Sequence, residues 1–240
     1  MDMRTVIVTG ASSGIGEATA RKLVQSGYNV MLAARRTDRL QAIVEELGEQ
    51  AAFHATDVSS REDQEALTAA TTERFGQVDA LVSNAGIMPV SLMEKGDVEN
   101  WDRMIDVNLR GVLYGINAVL PQMVERNDGH IIIISSIAAL ETFPSSAVYS
   151  ATKSGVRSMS DTLRKEMTAH GVRVTTIFPG GVKTELGTSI KDQSVLEMMG
   201  GVFNFEFLEP ENLADSVAYV LDQPPSVCVG ELMIRPTGQA

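Results

Sequence analysis

The chain has 240 residues, 44% of them apolar, with a formal charge of -11 and a pI near 4.8. That length suits one α/β domain with a sizeable core, and no Pro-, Gly- or Ser-rich stretch divides it, so a single domain over residues 1–240 is expected. The acidic balance argues against nucleic acid or an anionic membrane as partner, Cys228 alone excludes an intrachain disulfide, and three dispersed histidines offer no metal set.

A small-molecule ligand fits that composition better. No signal-peptide pattern opens the sequence and no apolar run approaches the roughly 18 residues of a membrane span, so a cytoplasmic location is expected.

Residues 5–9 read as a strand, and Gly10-Ala11-Ser12-Ser13-Gly14-Ile15-Gly16 as a turn opening a helix that ends near Gly27. Glycines there allow a sharp turn and close approach to a pyrophosphate at the positive end of the helix dipole. The spacing is G-x-x-x-G-x-G rather than G-x-G-x-x-G, and alone it could mark an ordinary strand-to-helix turn. A strand at 29–34 ends before Arg35 and Arg36, and a helix at 37–47 is stopped by Gly48. A strand at 51–56 leads to Asp57 and Val58; Ser59 or Ser60 then caps a helix that runs to Gly76. A strand at 78–83 ends in Asn84-Ala85-Gly86. This alternation predicts right-handed βαβ units and a doubly wound parallel sheet of about seven strands with helices on both faces, a Rossmann-type α/β fold.

Asp97 is expected to cap a long helix through Trp101, Met104, Leu113 and Leu120, apolar around most of its circumference and so packed against both the sheet and a second subunit. Asn108 is its polar exception, and a satisfied buried amide would explain it without any function. Four isoleucines, Ile131 to Ile134, read as a strand buried on both faces, ending at Ser135 and Ser136. Tyr149 and Lys153 stand four apart in the helix that follows, which runs to about His170. A phenol has an ordinary pKa of about 10, and a fixed cation one turn away lowers it toward the range of a general acid or base. Residues 172–178 form another strand, ending in Pro179-Gly180-Gly181. An irregular segment at 182–208, with Met198, Met199, Phe203, Phe205 and Phe207, could serve as a lid over an apolar substrate or as ordinary core packing. A helix at 211–221 and a strand at 227–234 complete the sheet. Met88, Leu92, Met93, Ile137, Phe143, Pro144 and the 182–208 segment are the expected pocket lining.

In these positions the chain resembles the short-chain dehydrogenase/reductase family over essentially its whole length. The shared motifs run in family order: Thr9-Gly10-x-x-x-Gly14-x-Gly16, Asp57, Asn84-Ala85-Gly86, Asn108, Ser136, Tyr149-x-x-x-Lys153, and Pro179-Gly180 with Thr184. The resemblance implies that Tyr149 exchanges the proton with the substrate oxygen while Ser136 orients it. It implies that Lys153 lowers the Tyr149 pKa and holds the nicotinamide ribose, and that Asn108 organises a proton relay from Lys153. Gly10, Ser12, Ser13, Gly14, Ile15 and Gly16 would surround the pyrophosphate side, and Asp57 and Val58 the adenine. Asn84, Ala85 and Gly86 would support the ribose, with Pro179, Gly180, Val182 and Thr184 beside the nicotinamide.

Arg35 and Arg36, with no carboxylate beside them, point to NADP rather than NAD, because a guanidinium attracts a 2′-phosphate that a carboxylate would repel. The expected activity is hydride transfer between NADP(H) and a small alcohol or ketone, with 3-hydroxy acids among the candidates, in a homo-oligomeric dimer or tetramer. Alternatives are reduction of 3-ketoacyl groups on an acidic carrier protein, weakened by the negative charge, and a regulator that binds NADP without turnover. A third, a hydrolase with Ser12 as nucleophile and His170 as base, follows from G-x-S-x-G at residues 10–14 but leaves Ser136, Tyr149 and Lys153 without roles.

Overall fold

The computed structural model describes residues 3–202 and 205–239, excluding the side chains of residues 198–202. Seven parallel strands form one sheet: β1 Thr5–Thr9, β2 Asn29–Ala34, β3 Ala51–Ala55, β4 Ala80–Ser83, β5 Gly129–Ile134, β6 Val172–Pro179 and β7 Glu231–Ile234, in the order β3-β2-β1-β4-β5-β6-β7. The doubly wound expectation is met. The order reverses between β1 and β4, and the crevice at such a reversal, beyond the carboxyl ends of the strands, is where ligands of these sheets bind.

Period-two alternation sends successive side chains to opposite faces. Val6, Val8, Ile132 and Ile134 join one core layer with Leu23 of helix α1 (Gly14–Gln25), Leu40 of α2 (Thr37–Leu47) and Val217 of α8 (Pro210–Leu221). Ile7, Ile131 and Ile133 join the other with Leu67 of α3 (Arg61–Phe75), Val119 of α5 (Gly111–Arg126) and Val156 of α6 (Ala147–Glu166). The four isoleucines of β5 are therefore divided between two apolar layers, each side chain contributing about 1.5–3 kcal/mol relative to exposure. A smaller cluster of Val90, Met104, Ala138, Tyr149, Ile190 and Val195 lies apart from both.

Several expected elements differ. The long helix is α4 (Val98–Ile105) and α5 joined by a π-helical turn, Asp106–Arg110, which carries Asn108; wide turns of this kind recur at functional sites. Asp97 precedes α4 but makes no side-chain cap; its carboxylate accepts from Asn100 Nδ2 at 2.9 Å instead. Ser60 rather than Ser59 caps α3, accepting from the Asp63 amide at 3.1 Å. The last strand begins at Glu231, where it first pairs in register with Thr176, rather than at Val227. Residues 182–208 are more regular than expected, with a 3-10 turn at Glu185–Ser189 and helix α7 at Gln193–Val202. The ends of that segment are tied together: Lys183 donates its amide to Leu208 at 2.9 Å, and Leu208 donates to Gly181 at 3.0 Å. Phe203, expected in this segment, lies outside the described residues, as do the side chains of Met198 and Met199. Among the described residues no helix is long and apolar enough to cross a membrane.

Candidate active site

The glycine turn after β1 is fixed by contact as much as by conformation. Gly10 has φ +67 and lies so near Ala85 that a β-carbon would come within 2.9 Å of its Cα. At Gly16 a β-carbon would meet the Gly10 carbonyl at 2.4 Å and Asn84 Nδ2 at 2.6 Å. Only glycine lets α1 start so close to the strand ends. Asn84 closes the same corner by donating to the Thr9 carbonyl at 2.8 Å, while Thr9 Oγ1 accepts from the amides of Asn84 and Ala85 at 3.0 and 3.1 Å. Asn84 thus holds β1 to β4 while also lining the cavity.

A cavity of about 840 Å³ extends from this turn along the strand ends. It brings together every expected site residue except Gly14, Gly16 and Asn108. At one end Arg36 donates through Nε to Ser12 Oγ at 3.1 Å and through NH2 to Ser13 Oγ at 2.6 Å, and its third nitrogen reaches Glu185 Oε2 at 2.7 Å. Arg35 lines the same end and acts on Asp57, whose carboxylate accepts from the Ser59 hydroxyl and amide at 2.6 and 3.0 Å. Burial opposes ionisation of Asp57, but the Ser59 hydrogen bonds and Arg35 outweigh it and hold the carboxyl below its ordinary value.

The opposite end holds Ser136, Tyr149 and Lys153. β5 delivers Ser136 in extended backbone just past its last residue, where Oγ accepts from the Ala138 amide at 3.1 Å and lies near enough to the Tyr149 hydroxyl to favour its ionised form. Tyr149 and Lys153 lie on one buried face of α6, and each is 5% exposed. Lys153 Nζ donates to the Ile134 carbonyl at 3.0 Å, and Ser135 Oγ donates to the Lys153 carbonyl at 3.2 Å, so β5 and α6 are pinned together beside the phenol.

The charge state departs from the sequence expectation. Burial pushes the Tyr149 phenol up to about 12, and the Ser136 hydrogen bond pulls it back only in part. Burial also pushes Lys153 down to about 8. The ammonium lies 5.8 Å from the Tyr149 ring centre and is spent on Ile134, so desolvation outweighs its attraction for a phenolate. At neutral pH the phenol therefore holds its proton and is placed as a donor.

Asn108 is fully buried, donating to the Ile87 carbonyl and accepting from the Ile87 amide, both at 2.9 Å, with a longer contact to Thr152 Oγ1 at 3.4 Å. Its hydrogen bonds fix the Gly86-Ile87 backbone, which borders the cavity, rather than reaching Lys153 directly. Thr184 caps the 3-10 turn at Glu185–Ser189, its Oγ1 accepting from the Leu186 amide at 3.3 Å.

The expected lining holds for Met88, Ile137, Phe143 and Pro144. Leu92 and Met93 lie outside it; Met93 sits in a short turn, 52% exposed. Two lining residues, Gln239 and Ser145, carried no signal in the sequence. Glu185 lies in the expected 182–208 lining, but its pairing with Arg36 is made only by the fold. Gln239 accepts from the Gly181 amide at 2.8 Å, bringing the C-terminal tail to the cavity. Ser145 has φ 70 after Pro144, where a turn of this shape favours glycine. The hydrolase alternative fails on placement. The Ser12 hydroxyl is bound by Arg36, and His170 stands just before β6, at the opposite end of the strands from the cavity.

A family model described as short chain dehydrogenase matches residues 4–195. An uncharacterized oxidoreductase of Listeria monocytogenes is 43% identical over 241 residues, covering 98% of this chain and 97% of the relative. A serine dehydrogenase solved in a closed form with NADP+ is similar with a TM-score of 0.92 at 37% identity, over 98% of this chain and 96% of that one. An alcohol dehydrogenase from Thermococcus sibiricus, complexed with 5-hydroxy-NADP, has a TM-score of 0.88 at 34% identity, over 100% of this chain and 99% of that one.

Proposed function

The chain belongs to the short chain dehydrogenase family and is an oxidoreductase of CH–OH and C=O groups, and on that premise we propose that it transfers a hydride between NADP(H) and a small, uncharged alcohol or ketone. The observation that carries this reading is a single cavity with a guanidinium and two hydroxyls at one end and, at the other, the half-buried Ser136 and buried Tyr149 hydroxyls beside a lysine. That donor set suits a phosphorylated dinucleotide: Ser12, Ser13, Arg35 and Arg36 would hold the phosphate-bearing ribose, the glycine turn the pyrophosphate, and Lys153 the far ribose hydroxyls. When bound, the nicotinamide supplies or accepts the hydride.

The chain's own residues manage the proton and the charge. As a ketone becomes an alkoxide, its oxygen gains negative charge, and Ser136 and Tyr149 present hydroxyl donors fixed by β5 and α6 before that charge appears. Tyr149 keeps its proton at neutral pH and gives it to the oxygen; in the reverse direction the neighbouring Ser136 hydroxyl stabilises the phenolate that accepts it. Asn108 holds Ile87, and with it the wall beside the reacting carbon. Met88, Val90, Ile137, Ala138 and Phe143 make that end apolar, while Lys183, which also lines the cavity, is ion-paired with Glu209. These features favour an uncharged substrate.

We further propose one domain over residues 1–240 whose segment 182–208 closes over the substrate, its two ends fixed by the Lys183 and Leu208 backbone bonds. What supports a two-fold oligomer is the outer face of α5, where Leu113 is 44% exposed beside half-buried Tyr114. Sedimentation as a dimer or tetramer is expected, and a monomer at micromolar concentration would contradict it.

The test of function is a screen of NADPH-linked reduction and NADP-linked oxidation across small ketones, alcohols and 3-hydroxy acids, repeated with Tyr149→Phe. The variant should bind NADPH as the wild type does and turn over roughly 10² to 10⁴-fold more slowly. Equal turnover would remove Tyr149 from the reaction, and preference for a charged hydroxy acid would overturn the uncharged-substrate assignment.

A further inference from the structure

Glu185 is the acidic side chain held against the guanidinium that would receive a 2′-phosphate. It opens the 3-10 turn of the 182–208 segment, and its two oxygens bridge two arginines on the other side of the cavity mouth: Oε2 to Arg36 at 2.7 Å and Oε1 to Arg39, in the first turn of α2, at 2.8 Å. Both Arg36 and Glu185 line the cavity. The bridge is a strap between the end of β2 and the segment that follows β6.

The chemistry of the strap matches that of the expected ligand. A carboxylate is an anionic group that only accepts hydrogen bonds, and so is a phosphate ester. Arg36 donates to the oxygens of Ser12 and Ser13, which leaves each serine hydroxyl hydrogen free to point at an anion placed beside the guanidinium. Glu185 already uses one arm of Arg36 from the segment side, and the two arginines hold its carboxyl down to about 2, so it is ionised wherever the protein is folded near neutrality.

The pairing is also reversible. Side-chain exposure is 41% for Arg36, 46% for Arg39 and 47% for Glu185, so water screens these contacts and neither pair is strong. A phosphate monoester carries about -1.5 to -2 charges near neutrality and offers three oxygens, more than a single carboxylate can present.

We propose that Glu185 is a cofactor-selecting residue, resting on the NADP(H) reading above: it occupies Arg36 in place of a 2′-phosphate, and NADPH takes Arg36 from it while NADH leaves the strap closed. Phosphate binding then works against the carboxylate, which lowers NADPH affinity and lets the phosphate free the start of the 182–208 segment. With NADH the carboxylate instead faces a ribose hydroxyl, a group from which it can accept a hydrogen bond. Glu185 therefore narrows the preference between the two dinucleotides.

Titration calorimetry on the full chain tests this with NADPH, NADH and adenosine 2′,5′-bisphosphate as probes and Glu185→Gln as the variant. Glutamine keeps the shape and removes the charge. The variant should raise the ratio of NADH to NADPH dissociation constants by roughly three- to tenfold, the span set by one or two exposed ion pairs, and should tighten the bisphosphate in step. The increase should shrink at high salt. Glu197→Gln removes the same charge from α7 of the same segment, where Glu197 accepts from Gln193, and should leave the ratio unchanged. An unchanged or lower ratio in Glu185→Gln overturns the proposal, and so does an equal rise in both variants, which would assign the effect to net charge. Wild-type protein that binds neither dinucleotide would remove the cofactor reading itself, an outcome distinct from normal binding with an unmoved ratio.

Discussion

Replacing Lys153 with methionine should make the protein more stable and less active. The ammonium is 5% exposed, and burial moves its pKa from 10.5 to about 8, which corresponds to about 3 kcal/mol of destabilisation when the folded protein holds that proton at neutral pH. Methionine has similar length and no charge to desolvate, but it leaves the Ile134 carbonyl without its donor at a cost of about 1–3 kcal/mol. The expected net gain at pH 7 is about 1 kcal/mol, or a rise in Tm of about 2–4 °C for a chain of this size. The sign with pH follows from the lowered pKa. Below about 8 both folded and unfolded wild type hold the proton and the burial cost is fully present; between about 8 and 10.5 the unfolded state holds a proton that the folded state has released, so wild-type stability rises. The advantage of Lys153→Met should therefore fade across that window. Thermal unfolding of both proteins at a series of pH values reads this directly, alongside NADPH-linked rates that should drop. A variant less stable than wild type at pH 7, or a gain that does not change between about 8 and 10.5, would refute the assignment of a buried, costly ammonium.

Arg36→Ala should raise the Michaelis constant for NADPH about tenfold or more, since a charge-assisted hydrogen bond is worth about 1.5–3 kcal/mol, and should leave that for NADH nearly unchanged. Equal effects on both cofactors would show that Arg36 only supports the glycine turn through Ser12 and Ser13. Ser145→Gly should stabilise the fold by about 0.5–1 kcal/mol, because φ 70 costs a side chain about 1–2 kcal/mol and glycine returns part of that in chain freedom. Scanning calorimetry checks it, and a lower Tm would mean that the serine side chain holds the turn.

The sequence carried the fold through its periodicity. Ile131 to Ile134 mark a strand buried on both faces, and helices alternating with strands dictate a parallel sheet. It also carried the two ends of the site, since Ser136, Tyr149 and Lys153 are spaced by one strand end and one helical turn, and Arg35 and Arg36 follow a strand directly. What it could not carry were distances between elements far apart in the chain. Glu185 lies 149 residues from Arg36, and no local pattern marks it as that arginine's partner. Desolvation is equally invisible: a tyrosine four residues before a lysine looks like a tuned phenolate, and only the 5% exposure of both groups shows that burial outweighs their attraction. Residues 182–208 read as irregular around Gly200 and Gly201, yet Leu196, Glu197, Met198 and Met199 favour a helix, and α7 runs across both glycines.

Hydride transfer assisted by Tyr149 is the central claim, and isotope transfer tests it most directly. Wild-type protein should be given NADPH deuterated at the transferring position together with a panel of small uncharged ketones, and the alcohol product examined by mass spectrometry. The product should carry one deuterium on its carbinol carbon, with its formation slowed roughly 10² to 10⁴-fold in Tyr149→Phe while NADPH binding persists. No alcohol from any ketone on the panel, a product whose new hydrogen comes from solvent, or equal rates in the two proteins would contradict it.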